Sequence, residues 1–226
     1  MRNKSKKQIA GLRRKSEQGD AKAHHTLGLL YANGGGVPKN YTVARRWFER
    51  AAAQGHAGAQ YDLGLLYANG EGVPQDYKKA RQWWLQAAAQ DNAQGQHTLG
   101  VLYEDGQGVP QDYGKARGWF EKAAAHGYAD AQYHLGFLYA KGMGVPQDYG
   151  KARQWYEQAA AQGHTGTMLN LGLLYIEGQG VPQDDAKAQQ WWEKAAAQGD
   201  ANAQKILEIM FAYTRKNGET FAKSIH

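Results

Sequence analysis

Cysteine is absent from the 226 residues, which excludes structural disulfides, thiolate-bound metals and a cysteine nucleophile. Serine stands only at Ser5, Ser16 and Ser224, all in the terminal segments, so a Ser/His/Asp constellation has no nucleophile in the body of the chain. No run approaches the roughly 18 consecutive apolar residues of a membrane span. The opening Met1-Arg2-Asn3-Lys4-Ser5-Lys6-Lys7 is basic but leads into no apolar stretch of the kind a secretory signal needs. The expectation from these absences is a cytoplasmic protein without a signal peptide.

Proline is scarce and glycine plentiful, and both are placed regularly. All five prolines follow valine, at Val37-Pro38, Val73-Pro74, Val109-Pro110, Val145-Pro146 and Val181-Pro182. The interval is 36 residues each time. Leu-Gly repeats at the same interval from Leu27-Gly28 to Leu171-Gly172, and Trp47, Trp83, Trp119, Trp155 and Trp191 form a third ladder. Three ladders in one register identify tandem repeats, in which each unit buries its apolar face against the next.

One unit reads as helix–turn–helix. The first helix (A) runs from about 21 to 32, with Ala23, Leu27, Leu30 and Tyr31 at helical spacing and Gly28 where another helix approaches closely. Asn33-Gly34 ends it and Pro38 keeps either helix out of the loop. Asn40, and later Asp76, Asp112, Asp148 and Asp184, are placed to cap the second helix (B). That helix turns Ala44, Trp47, Phe48, Ala51 and Ala52 inward and closes at Gly55, where Asp91 stands one unit later. The tryptophan ladder and the Tyr31-type ladder read as core.

The expected domain plan is a basic N-terminal capping helix over 1–19, five repeats over 20–200, a C-terminal capping helix over 201–213 and a tail over 214–226. Residues 5–19 align with a B helix lacking its tryptophan, and in 201–213 Glu208 replaces the A-helix glycine. In the tail, Phe221 and Ile225 have the spacing to dock on the last unit. Residues 1–18 carry seven Lys or Arg against one acid, and the remaining 20 basic residues are balanced by 20 acids. A nucleic-acid-binding array would spread basic side chains along one face. Such contact through residues 1–15 is the weaker alternative to a solvated basic cap.

The block Ala131-Gln132-Tyr133-His134-Leu135-Gly136-Phe137-Leu138-Tyr139, followed by Gly142-Met143-Gly144-Val145-Pro146-Gln147-Asp148-Tyr149 and by Lys151-Ala152-Arg153-Gln154-Trp155-Tyr156-Glu157-Gln158-Ala159-Ala160, resembles the Sel1-like repeat. The 36-residue unit and its Gly-x-Gly-Val loop distinguish it from the tetratricopeptide unit of about 34 residues. The resemblance covers roughly 20–213. It implies an all-α, right-handed α/α superhelical solenoid with the A helices lining a concave side, and a role as adaptor or scaffold, frequently in bacteria. Some bacterial members are secreted, carry a disulfide in every repeat and bind penicillin, and the absence of cysteine separates this chain from them.

Positions that vary between units are free to carry recognition. On helix A these are Lys22/Gly58/Gln94/Asp130/Gly166, Thr26/Asp62/Thr98/His134/Asn170 and Asn33/Asn69/Asp105/Lys141/Glu177. Their offsets place them on one stripe, which also holds the apolar row Leu29, Leu65, Val101, Phe137 and Leu173. The adjacent row His25/Tyr61/His97/Tyr133/Leu169 offers aromatic anchors. The candidate partner-binding residues are therefore His25, Thr26, Tyr61, Asp62, Asn69, His97, Thr98, Asp105, Tyr133, His134, Phe137, Lys141, Asn170 and Glu177. The competing reading packs the apolar row against neighbouring helices and gives the aromatic row a structural edge role.

Catalytic and metal chemistry find no pattern. His25 and His97 share a position but lie two units apart, His24-His25 diverge on a helix, and His56 and His164 fall at turns where exposure is expected. The acids are N-caps or lie on exposed B-helix faces, as Glu49, Glu121 and Glu157 do. Gly34-Gly35-Gly36 is followed by no Lys-Ser/Thr and is no phosphate loop. The expected function is a non-enzymatic scaffold, without cofactor or metal, holding a protein or peptide on its concave face. The alternatives are an immunity or regulatory protein blocking a toxin or effector, and a lactam-binding or hydrolysing enzyme.

Overall fold

A computed structural model describes residues 2–217, and within them the chain forms twelve α-helices and no strand. They are α1 (Arg2–Glu17), α2 (Ala21–Asn33), α3 (Tyr41–Ala52), α4 (Ala57–Asn69), α5 (Tyr77–Ala88), α6 (Ala93–Asp105), α7 (Tyr113–Ala125), α8 (Ala129–Lys141), α9 (Tyr149–Ala161), α10 (Thr165–Glu177), α11 (Asp185–Ala197) and α12 (Ala201–Asn217). Even-numbered helices are A helices and odd-numbered ones B helices. Two compact units result, one ending at Gln111 and holding α1–α6, the other starting at Asp112 and holding α7–α12. No described helix is long and apolar enough to cross a membrane.

Local residues set the helix ends. Asn40, Asp76, Asp112, Asp148 and Asp184 are extended, and each side-chain oxygen accepts from the N–H three residues on at 2.9–3.0 Å, as an N-cap does. The A helices end on left-handed glycines such as Gly70, whose N–H bonds Leu66 O. The glutamine after each later proline adds a side-chain cap: Gln75, Gln111, Gln147 and Gln183 donate to the carbonyls of Ala68, Glu104, Ala140 and Ile176 at 2.7–2.8 Å. Asp91 takes the left-handed place of a glycine at φ 58°. The N-caps of the A helices are more varied: Asp20, Asn92 and, unexpectedly, His56 and His164. These two histidines are not exposed turn residues. Each is half-buried and accepts through Nδ1 from the N–H of Ala59 or Thr167 at 3.2 Å.

Within a repeat, one contact fixes how closely A and B approach. A Cβ at Gly28 would stand 2.3 Å from the Phe48 ring, at Gly64 2.2 Å from the Trp84 indole, at Gly136 2.4 Å from Tyr156 and at Gly172 2.1 Å from Trp192. The space is filled by the ring itself. The Trp84 and Trp192 indole N–H groups donate to the carbonyls of Tyr61 and Leu169 at 3.2 Å. This corrects the sequence reading of the tryptophan ladder. Trp47, Trp83, Trp119, Trp155 and Trp191 are only half-buried, and the next residue (Phe48, Trp84, Phe120, Tyr156, Trp192) is the buried one. The next position points about 100° around the helix, into the glycine gap, while Trp83 packs on the Ala44–Phe48–Leu63 core at the seam between repeats. The Tyr31-type ladder is likewise half-buried at Tyr31, Tyr67, Tyr103 and Tyr139, and buried only at Tyr175.

Two further contacts join successive repeats. Gln60 is buried; its amide donates to Ala52 O at 3.5 Å and its oxygen accepts from Gln90 at 2.7 Å. His24 fills the same place between Ser16 O and Gln54. The second glycine of the Gly-x-Gly loop seats on the previous B helix: a Cβ at Gly72, where φ is +69°, would stand 2.7 Å from the Tyr41 carbonyl carbon. Both backbone conformation and space require glycine there.

The terminal helices are longer than the repeat pattern predicts. α1 starts at Arg2 and α12 runs to Asn217 rather than 213, no Gly-x-Gly loop being present to stop it. The tail positions Phe221 and Ile225 lie outside the described residues.

Gly64→Ala is expected to cost ~1–3 kcal/mol through overpacking against Trp84. Gly118→Ala in α7, where a Cβ meets nothing within 4 Å, is expected to stabilise by up to ~1 kcal/mol through helix propensity. Urea unfolding measures both, and equal midpoints would show that the glycine does not set the helix spacing. A second expectation concerns acid. Burial first, then the neighbouring charge of His25, lowers the pKa of His56, with Asp62 opposing and Lys22 assisting. Burial first lowers that of His164, with Asp130 opposing and His134 assisting. The folded values lie below the unfolded value of about 6.5, so the unfolded chain binds more protons and stability is lost as pH falls through that region. Protonation also removes the Nδ1 acceptor that caps the helix. The double variant His56→Asn/His164→Asn keeps a cap of the Asn92 kind. Its melting temperature should match the intact chain near about pH 7.5 and exceed it below about pH 6; parallel curves would count against histidine capping as a source of acid sensitivity.

Candidate functional site

The stripe predicted on the A helices divides between the two units and differs in character between them. In the first unit much of its polar surface is used internally. His25 Nε2 lies 2.7 Å from Asp62 Oδ2, and the His25 ring centroid is 4.5 Å from that of His56. The Tyr61 hydroxyl bonds the Thr98 side chain, while burial raises its pKa. Both pairs join one row of an A helix to the next row of the following A helix, one repeat on. Thr26 donates back to Lys22 O at 2.8 Å. His97 is half-buried, and Asn69 and Asp105 are exposed. Variation at these positions is therefore partly variation of bonded pairs.

In the second unit the stripe opens into a cleft of about 250 Å³. Tyr133, Phe137 and Lys141 of α8 form one wall, and Asn170, Leu173 and Glu177 of α10 the other. Tyr149 and Tyr156 of α9 join the lining with Leu174, Ala140, Gln147 and Gln179. Tyr156 bonds the Asn170 side chain, and burial holds its hydroxyl far above the ordinary phenol range. Of the predicted residues, Tyr133, Phe137, Lys141, Asn170 and Glu177 are brought together. His134 is not among them: its ring faces Phe120 at 4.6 Å and meets Tyr133 edge-on. Tyr149, Tyr156, Gln147 and Gln179 were missed, because they come from the loops and a B helix. For Gln147 the recurrence of glutamine at one loop position (Gln75, Gln111, Gln147, Gln183) was the available signal.

The apolar row is half-buried at Leu29, Leu65, Val101 and Phe137, and opens further at Leu173, 41% exposed. Ile209 continues it onto α12 at 51%. The row is thus neither sealed into the helix packing nor scattered singly over the surface. Among the described residues no group of three or more His, Cys, Asp or Glu could hold a metal ion. The nearest approach, His25, His56 and Asp62, is committed to the bond between His25 and Asp62 and to the cap on α4.

Solved structures share this fold. A protective antigen of uropathogenic Escherichia coli displaying an SLR fold superposes with a TM-score of 0.86 at 43% identity, over 91% of this chain and 44% of its own. This chain thus spans less than half of that relative's length. A Sel1 repeat protein from Oxalobacter formigenes gives a TM-score of 0.81 at 34% identity, over 85% of this chain and 79% of its own. An immunity protein from Pseudomonas aeruginosa gives 0.56 at 23% identity, over 84% of this chain and 72% of its own, a likeness of fold alone. No curated protein matches. The family model described as Sel1 repeat matches residues 21–56, 57–92, 93–128, 129–164 and 167–200. Those matched segments open at or beside the A-helix starts and close at the B-to-A turns seen in the structure, and on them the chain belongs to the Sel1 repeat family.

Proposed function

We propose that this chain is a non-enzymatic scaffold that holds a polypeptide partner along the face formed by its A helices. The observation that carries the reading is the cleft between α8 and α10, where aromatic walls, an amide and two charged groups of opposite sign converge. Such a mixture suits a peptide: rings take up apolar side chains, and Asn170, Lys141 and Glu177 supply polar contacts that fix register. The open apolar row continues from Leu173 in the cleft wall to Ile209 on α12. Membership of the Sel1 repeat family supports a protein-interaction role in general terms.

Residues already bonded across repeats are poor choices for a test, because changing them alters the stack. Lys141 and Leu173 are exposed, so Lys141→Glu/Leu173→Asp should leave the fold intact. The intact chain is expected to retain a protein from a bacterial lysate that the variant fails to retain, while circular dichroism and thermal melts of the two coincide. Retention of the same protein by both would place its binding off the α8–α10 cleft.

A further inference from the structure

A second surface differs from the A-helix face in position and in charge. Where α3, α7 and α9 carry an arginine and a glutamate four residues apart (Arg45–Glu49 at 3.1 Å, Arg117–Glu121 at 3.3 Å, Arg153–Glu157 at 3.7 Å), α1 has Ile9 and Arg13 in the same register. The pair that neutralises itself in those three helices is replaced in α1 by an apolar side chain and a guanidinium without a carboxylate. Arg13 donates to the Tyr31 hydroxyl at 3.3 Å. Across the cleft, the Arg50 guanidinium lies 4.7 Å from the centre of the Trp47 ring. Neither arginine has a carboxylate partner among the described residues.

Arg13, Tyr31, Val43, Trp47 and Arg50, with Ser16 and Glu17 of α1, line a cleft of about 370 Å³, where the two guanidinium groups outnumber the one carboxylate. Arg13 also borders a second of about 260 Å³, walled by Ile9, Ala10 and Val37. A cavity of roughly 150 Å³ already holds a benzene ring, so each cleft has room for one apolar side chain. A guanidinium lying on a ring keeps its N–H edge free for a carboxylate, which it can grip with two parallel bonds. Two recesses that share Arg13, the smaller apolar and the larger holding Val43, Trp47 and Tyr31 between Arg13 and Arg50, fit a chain in which acidic and apolar residues alternate.

From this geometry we infer that the α1–α3 surface binds an acidic polypeptide segment, independently of the A-helix cleft. Nucleic acid fits less well: the basic excess is confined to residues 1–18, whereas a strand needs positive charge and stacking surfaces along its track.

The test uses the full chain and three fluorescein-labelled probes: a peptide of alternating glutamate and leucine, the same peptide with lysine for glutamate, and a thymidine oligonucleotide. Fluorescence anisotropy reads binding. The variant Arg13→Glu/Arg50→Gln installs the residues that the next junction carries at those places, Glu49 and Gln86, so it is built to fold. Arg50→Gln alone serves as a milder second variant. The expected result is that the glutamate peptide binds the intact chain, the lysine peptide does not, and the double variant weakens binding at least about tenfold, as loss of a charge-assisted contact would. Three results would each overturn the inference: no binding of the glutamate peptide to the intact chain, equal binding of that peptide to the intact chain and the double variant, or oligonucleotide binding as tight as the peptide's.

Discussion

The close seat of a buried ring over a helical glycine is the contact on which the rest of this structure depends. Each repeat has two short helices of 12 or 13 residues. They meet through a gap at Gly28, Gly64, Gly136 or Gly172 and a ring, Phe48, Trp84, Tyr156 or Trp192, that fills it. The interior tolerates three different rings because the glycine leaves space for a flat group and dictates little about its edge. Where the ring is indole, its N–H finds a backbone carbonyl of the A helix, as a buried donor must. The alanines of the B helices, among them Ala44, Ala51, Ala80 and Ala87, are fully buried and bring the helix backbones near enough for this contact to form.

Polar bonds carry the next level of organisation. The buried Gln60 and His24 each bridge two B helices, giving an apolar seam one satisfied polar pin that resists sliding. The loop glycine against Tyr41 fixes the other edge. With both edges held, the A-helix residues that face away from the core are displayed in register from repeat to repeat within each unit. Some of that display is consumed at once, as at His25–Asp62 and Tyr61–Thr98. What is left concentrates in α8 and α10, whose facing residues line a cleft with Tyr149 and Tyr156 of α9.

The same framework explains why α1 and α12 behave as surfaces of a different kind. α12 follows the A-helix register, yet Phe211, at the Tyr31 position, is 48% exposed because no following helix covers it among the described residues. α1 follows the B-helix register without the arginine–glutamate pairing of α3, α7 and α9, so its charge is available to an external partner rather than to itself.

Sequence alone determined the repeat length, the helix order and nearly every helix boundary. Those follow from residues acting within a few positions of one another: the aspartate that caps a helix three residues on, the glycine that admits a left-handed turn, the proline that stops a helix. The family and the face of the A helices that deserves testing were also legible in that periodicity. Tertiary structure decided which of two adjacent aromatics is core, since Trp47 and Phe48 differ only in the direction each points from one helix. It likewise decided that Asp62 is bonded to His25 while Lys141 and Glu177 line an open cleft. Partners a whole repeat apart in sequence leave no local pattern, because their contact exists only once the glycine and the ring have set the distance between helices.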